Sequence, residues 1–251
     1  MAQELTDSGL STATVRRVLA PVRALLATAL EEGLIRTNPA LGLRLAQPAG
    51  DPDDDGEVKA LTEQELAALL VATPPEWRLL VRFLAHTGLR ISELVALRWR
   101  DVDLGRGRVR VRRRDYRGSV EAPKSRFGRR EIPLSAGMAH DLWEHRKALR
   151  RSGDDDPVFQ TLSGTAIRRE NLFRRVLKPA AEQAGVPWAG FHTLRHTCAT
   201  LLFRHGANAK QVQLWFGHHS PAFTMATYVH LLPDDLPDPG FLDAIAGASG
   251  W

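Results

Sequence analysis

Residues 192–228 read HTLRHTCATLLFRHGANAKQVQLWFGHHSPAFTMATY, and this stretch decides the fold. It divides into three helices at its own punctuation. The first covers about 192–205, with Gly206 placed as its C-cap. The second covers 208–216 and stops at Gly217. Ser220-Pro221 is a cap followed by proline at the first helical position, which opens a third helix carrying Tyr228. Within the first helix, His192 and Arg195 are three residues apart and share a face, so both can reach one target.

Upstream, helices again dominate. Thr62 with Glu65 forms a capping-box signature before Leu66, Leu69 and Leu70. Helices are expected at about 75–86, 91–98, 136–151 and 166–184. Between them the pattern changes. Arg108-Val109-Arg110-Val111-Arg112 alternates with period two, and 130–134 is a second extended run. The expected fold class is therefore mainly α with a small antiparallel β-sheet (α+β). Towards the N-terminus, Val15, Val18, Leu19, Val22, Leu25, Leu26 and Leu30 recur at helical spacing over 11–33, and Asn38-Pro39 marks a break. Residues 50–57 (GDPDDDGE) lack any apolar anchor and read as a linker. The expected organisation is a helical piece at 1–49, the linker, a large domain at 58–232 and an acidic tail at 233–251. Phe241, Leu242 and Ile245 of that tail are expected to pack on a neighbouring protomer.

The net charge of +5 is unevenly spread: −4 over 1–57, +13 over 58–230 and −4 over 231–251. A basic middle rich in arginine points to a polyanion partner. Cys198 is the single cysteine, which rules out an intramolecular disulfide and a cysteine zinc cluster; its plain reading is a small buried helix residue. No apolar run approaches the roughly 18 residues of a membrane span. The start of the chain lacks the pattern of a secretory signal.

Four segments carry chemistry. Thr87 to Leu94 (TGLRISEL) places Arg90 at the mouth of a helix, three residues before Glu93. Pro123-Lys124-Ser125 lies in a polar loop. His192 to His196 supplies two histidines and Arg195. Phe216-Gly217-His218 precedes Tyr228 by ten residues. Two arginines, a lysine, two histidines and a tyrosine suit phosphoryl transfer. Arginine neutralises the equatorial phosphate oxygens through paired N–H groups and stays protonated. Histidine donates without a permanent charge. Lysine can surrender a proton to a leaving oxygen where arginine cannot. A tyrosine hydroxyl can form a covalent phosphate ester. Taken singly, Arg90 and Glu93 could be a plain helical ion pair, and Tyr228 a packing residue. His192 and His196 have zinc-helix spacing, but Thr193 stands where the catalytic glutamate of HExxH would be.

In order and spacing, TGLRISEL, PKS, HTLRH, FGH and TYVH resemble the motif series of the tyrosine recombinase (phage integrase) family, over about 61–232. The resemblance implies that Arg90 and Arg195 clamp a scissile phosphate, that Lys124 is the general acid, and that His192 and His218 support phosphate and proton traffic. It makes Tyr228 the nucleophile that forms a 3′-phosphotyrosine and Glu93 an orienting carboxylate. It implies double-stranded DNA as partner, a homotetramer on DNA, accessory DNA-bending or directionality factors, no metal and no cofactor. A cytoplasmic, nucleoid-associated protein of a prokaryote or phage follows. Arg108, Arg110, Arg112, Arg114, Arg126 and Arg129 are the expected DNA contacts, with Tyr116 packing or touching the backbone among them. Phe216 stands where the family usually has leucine. Residues 10–45 resemble only the last helices of the family's core-binding domain. Two alternatives stay open: a recombination-deficient DNA-binding protein that retains the site, and a type IB topoisomerase-like enzyme that relaxes DNA.

Overall fold

The protein is described by a computed structural model covering residues 2–10, 12–42, 58–116, 118–122, 126–161 and 163–228. The chain divides into two compact units, Met1–Glu57 and Val58–Trp251. In the first unit α1 (Ala2–Asp7) precedes α2 (Thr12–Glu31). α2 is the helix expected over 11–33. α1 was not expected, because six residues are too few to show a periodicity. Of the apolar positions expected on one face of α2, Val15 and Leu19 are buried while Val18, Val22, Leu25 and Leu30 are exposed. The break at Asn38-Pro39 is closed by the Asn38 side chain, whose Oδ1 accepts the Ala40 amide at 2.8 Å. The expected linker at 50–57 and the tail group Phe241, Leu242 and Ile245 lie outside the described residues.

The second unit opens with α3 (Glu63–Ala72), α4 (Pro75–Thr87) and α5 (Ile91–Val95). The Thr62–Glu65 capping box is formed in both directions. α5 ends earlier than 98. The chain turns into a 3-10 turn at Trp99–Asp101, where buried Asp101 accepts the Arg98 amide and the Arg113 guanidinium.

The sheet follows from the alternation. β1 (Val102–Asp103), β2 (Arg108–Val111) and β5 (Arg130–Pro133) pair antiparallel in the order β1-β2-β5. Val109 faces Ile132, and with Val111 they form the buried face, while Arg110 stands opposite Glu131. The intervening segment holds a second hairpin, β3 (Arg114–Tyr116) with β4 (Ser119–Glu121), which the short polar sequence did not announce.

α6 (Ala136–Ala148) is capped by Ser135 and stops short of 151. The helix expected at 166–184 is composite: α7 (Arg169–Leu172), a π turn (Phe173–Leu177) and α8 (Lys178–Gln183). Pro179, in the first turn of α8, has no amide for the Arg175 carbonyl four residues earlier, so the regular ladder is broken beside the π turn. The Lys178 amide instead reaches the Phe173 carbonyl, a five-residue step.

Then come α9 (Phe191–Arg204), α10 (Ala209–Phe216) and α11 (Pro221–Tyr228). α9 packs along α4, and its Leu194 joins Leu80, Leu84 and Phe83 in the main core. A smaller cluster of Cys198, Ala199, Val212, Phe216 and Tyr228 ties α9, α10 and α11 together. Cys198 is the buried helix residue its sequence context indicated. Burial pushes its thiol up to about 12, so it is no nucleophile.

Two left-handed glycines set the approach of these helices. Gly88 (φ 61) caps α4, and a Cβ there would sit 2.6 Å from the Phe216 ring. Gly217 (φ 64) ends α10 against the Phe127 carbonyl oxygen, with which a Cβ would collide. Because both the left-handed backbone and the contact oppose a side chain, Gly217→Ala should destabilise the unit by about 2–4 kcal/mol in denaturant melts. A change below about 0.5 kcal/mol would show that the α10 turn is not tightly held.

Candidate active site

Glu93 is the hub of the site. Its side chain is 4% exposed at the first turn of α5. Its Oε2 accepts the Arg90 amide at 3.0 Å, so it caps its own helix, and its Oε1 accepts Nη1 of Arg90 at 3.1 Å. Arg130, from β5, donates Nη1 to Oε1 at 3.1 Å and Nη2 to Oε2 at 2.8 Å. Burial would raise the carboxyl's pKa, but the Arg130 hydrogen bonds and the charges of Arg130, Arg90 and Arg195 hold it at about 2. A fixed anion therefore holds Arg90 by one edge and leaves its side chain 44% exposed.

Arg195 comes from α9 and is buried. It donates to the Gly88 carbonyl, to the Phe216 carbonyl at 2.9 Å and towards His218 Nε2 at 3.3 Å, and its guanidinium lies 4.5 Å from the Phe216 ring centre. Burial, then Arg90 and Arg130, pull it down to about 9, which still leaves it protonated at neutral pH. These contacts explain the sequence around it. The turn at Gly88 and the end of α10 each present a carbonyl to the same guanidinium. Phe216, in place of the usual leucine, forms a face of its box.

His218 is buried, with Nδ1 2.9 Å from Thr224 Oγ1. Its Nε2 faces a donor on Arg195, so the proton resides on Nδ1 and the ring is neutral. Burial and then the charge of Arg195 drive its pKa down to about 3. His192 lies half-exposed one turn before Arg195, and its partial burial, then Arg195 and Arg90, lower its pKa. His192 thus lies within the field of the two arginines, one turn from Arg195 on α9.

Tyr228 closes α11. It is 1% exposed, and its ring lies nearly parallel to His218 at 6.3 Å, with Phe216 at 6.4 Å and Phe203 at 6.2 Å. Its hydroxyl shares a hydrogen bond with His196 Nδ1 at 3.1 Å. Burial pushes the phenol up to about 12, although Arg195 opposes this. The structure thus brings Arg90, Glu93, His192, Arg195, His218 and Tyr228 into one neighbourhood. Lys124 lies outside the described residues, as does the Arg126 side chain. Two residues of the neighbourhood do not stand out from sequence. There, Arg130 is one of several loop arginines, and His196 reads only as structural or secondary.

The six expected DNA-contact arginines divide. Arg112 and Arg129 are exposed and line a cleft of about 580 Å³ with Arg110, Arg130 and Glu131. Arg108 and Arg110 are engaged by Glu131, Arg110 at 2.9 Å. Arg114 pairs with Glu121 at 3.0 Å and covers the Tyr116 ring at 5.2 Å. Among the described residues, no group of three or more His, Cys, Asp or Glu side chains is placed to hold a metal ion. No described helix is long and apolar enough to cross a membrane.

Fold and site together define an α+β catalytic domain built around buried and half-exposed guanidiniums beside a tyrosine. Residues 59–234 match the phage integrase family, and the chain belongs to that family as a tyrosine recombinase catalytic domain. It is 31% identical to the tyrosine recombinase XerD of Pseudomonas aeruginosa over 242 residues, covering 92% of this chain and 76% of that protein. It is 29% identical over 258 residues to a tyrosine recombinase XerC-like protein of Caldanaerobacter subterraneus, covering 92% of this chain and 65% of the relative's length. The structure of the Tn1549 transposon integrase in complex with a circular intermediate DNA shares the fold at TM-score 0.76 and 21% identity, covering 99% of this chain and 83% of that one.

Proposed function

We propose that the chain cleaves and rejoins double-stranded DNA through a 3′-phosphotyrosine at Tyr228. The observation that carries the reading is the meeting of Arg90, Arg195 and His218 beside the ring of Tyr228. Arg90 presents its free edge to the scissile phosphate, and Arg195 adds a second, fixed charge. His192 donates a hydrogen bond to a phosphate oxygen, and neutral His218 supports the phosphate by holding the Arg195 guanidinium through Nε2. Glu93 keeps Arg90 in place. Lys124 protonates the departing 5′ oxygen. No metal or cofactor takes part. The buried phenol is a docked, protonated form, and attack follows release of the end of α11. Residues 1–49 act as part of the DNA clamp, 50–57 as linker, 58–232 as catalytic domain and 233–251 as a tail that engages a neighbouring protomer. On DNA the chain works as a homotetramer with accessory DNA-bending or directionality factors, in the cytoplasm at the nucleoid.

The test is a pool of nicked duplexes tiled across the genomic DNA flanking the gene. A nick beside the scissile phosphate lets the released fragment diffuse away and traps the intermediate. An adduct of the whole chain that survives denaturation, lost in Tyr228→Phe, supports the reading. Measurable DNA affinity with no adduct from any duplex favours the binding-only alternative. Relaxation of supercoiled DNA by the monomer favours the topoisomerase-like one.

The arginine pattern makes a finer prediction for non-specific affinity. Removing one cation from a phosphate should flatten the log–log salt dependence by about one unit. Arg112→Ala and Arg129→Ala should each do so. Arg108→Ala and Arg110→Ala should do less, because Glu131 already neutralises part of their charge. Equal slopes for all four variants and the wild type would remove the strand and its loop from the DNA interface.

A further inference from the structure

We propose that Arg130 is a positioning residue that locks three parts of the catalytic pocket into one register, an inference that rests on the DNA-cleavage reading above. Its side chain is 4% exposed, which is unusual for an arginine on a sheet edge. Its donors are almost all spent on protein. Nε donates to the Trp215 carbonyl at 2.8 Å, Nη1 to Glu93 Oε1 at 3.1 Å and to the Gly128 carbonyl at 3.2 Å, and Nη2 to Glu93 Oε2 at 2.8 Å. Four of its five N–H groups are thereby engaged, so it has little left for a DNA phosphate.

The partners show what it does. Through Glu93 it reaches Arg90, since Oε1 is shared between the two guanidiniums. Through Trp215 it fixes the end of α10, where the next three residues are Phe216, Gly217 and His218. Through Gly128 it anchors the loop whose Phe127 carbonyl abuts Gly217. One planar fork thus joins the Arg90 turn, the His218 turn and the Phe127–Gly128 turn that precedes β5. Without Arg130, the buried carboxylate of Glu93 keeps Arg90 as its sole guanidinium partner in this network. Arg90 is then drawn inward into a two-armed pair, and the edge it offers to phosphate is lost. Lysine can replace one arm of the fork but cannot also hold the Trp215 carbonyl.

The experiment compares the full chain with Arg130→Met and Arg130→Lys, using the nicked duplex that gives the most adduct. Two quantities are read: the adduct rate at saturating DNA, and the DNA concentration giving half that rate. Displacing reacting groups by about an ångström costs on the order of 100-fold in rate. The expected result is a saturating rate about 100-fold down in Arg130→Met, an unchanged half-saturating concentration, and an intermediate rate in Arg130→Lys. If Arg130→Met does not fold, Arg130→Lys decides alone, through a slower saturating rate at unchanged affinity. A folded variant with the wild-type rate overturns the proposal, as does a loss of affinity that accounts for the whole loss of rate. A fully active Arg130→Lys beside an unfolded Arg130→Met does the same, because it leaves Arg130 a merely structural ion pair. If the wild-type chain itself gives no adduct, the cleavage reading falls and takes this inference with it; an active wild type with unaffected variants sinks the inference alone.

Discussion

A Tyr228→Phe chain folds and binds DNA like the wild type and forms no covalent adduct. The two halves of that outcome have separate causes. The ring is packed on Phe203, Phe216, His196 and His218, and phenylalanine keeps every one of those neighbours. The hydroxyl contributes one hydrogen bond, to His196 Nδ1, whose loss costs about 1 kcal/mol. The chemistry has no such margin, because without the oxygen there is nothing to esterify. A fall in adduct rate of at least about 10⁴-fold is expected, equivalent to about 5.5 kcal/mol in the barrier. Time courses on the trapping duplex give the rate, and denaturant melts give the fold. Adduct from Tyr228→Phe within about tenfold of wild type, on the same scale of rate and barrier, would transfer the role of nucleophile elsewhere. Tyr116 is a poor substitute in that event, since it lies on the β3–β4 hairpin under the Arg114 guanidinium. The docked phenol also sets a kinetic expectation. With its pKa pushed up to about 12, ionising it in place at neutral pH would cost about 7 kcal/mol. Release from the buried cluster towards the arginines would lower that cost, which is why the proposed reading has the end of α11 move before bond formation.

Much of this site is legible without any coordinates, and the reason lies in which contacts are local. Arg90 with Glu93, and His192 with Arg195, are neighbours by helical spacing alone. Gly217 and Ser220-Pro221 announce where α10 ends and α11 begins, which assigns Tyr228 to a helix. The alternation of Arg108 to Val111 sets the buried face of β2, and Val109 and Val111 lie there. What stays hidden depends on pairing across distance. Arg130 meets Glu93 across 37 positions and Trp215 across 85, and no periodicity encodes either meeting. Its neighbour Arg129 is the same residue type one position away, yet it is exposed. Likewise His196 looks dispensable until α11 folds back and places Tyr228 against it. The arginine alternation reads as a single outward stripe, yet Glu131 lies opposite Arg110 in the ladder and occupies that part of it. Register between strands, rather than pattern within one, decides which arginines stay available.

Arg195→Lys is the substitution with the second largest expected effect, and it separates charge from geometry. The variant keeps a cation on α9, so a role limited to electrostatic attraction predicts a mild change. The hydrogen bonds predict otherwise. The guanidinium bonds the Gly88 carbonyl and the Phe216 carbonyl at once, and an ammonium on a flexible stem cannot span both while facing a phosphate. At least one carbonyl is then left buried without its donor, at about 1–3 kcal/mol. The face packed on Phe216 is lost as well. Loss of one preorganised donor to a developing charge typically costs about 10²–10³-fold, and here the direction of every remaining donor changes too. The saturating adduct rate should therefore fall by about 10³-fold while non-specific DNA affinity, which the proposed interface places on exposed arginines such as Arg112 and Arg129, stays near wild type. His218 supplies an internal check. Its pKa is held near 3 by burial and by the Arg195 charge, and its Nε2 accepts from that same guanidinium. With the fork removed, Nε2 loses the donor that favours the neutral ring, and the histidine's titration by NMR should move upward, while burial and the retained lysine charge keep it below the ordinary range near 6.5. A variant that keeps both the wild-type rate and the depressed histidine would mean that position 195 contributes charge alone, and that the two carbonyls do not aim the catalytic cation.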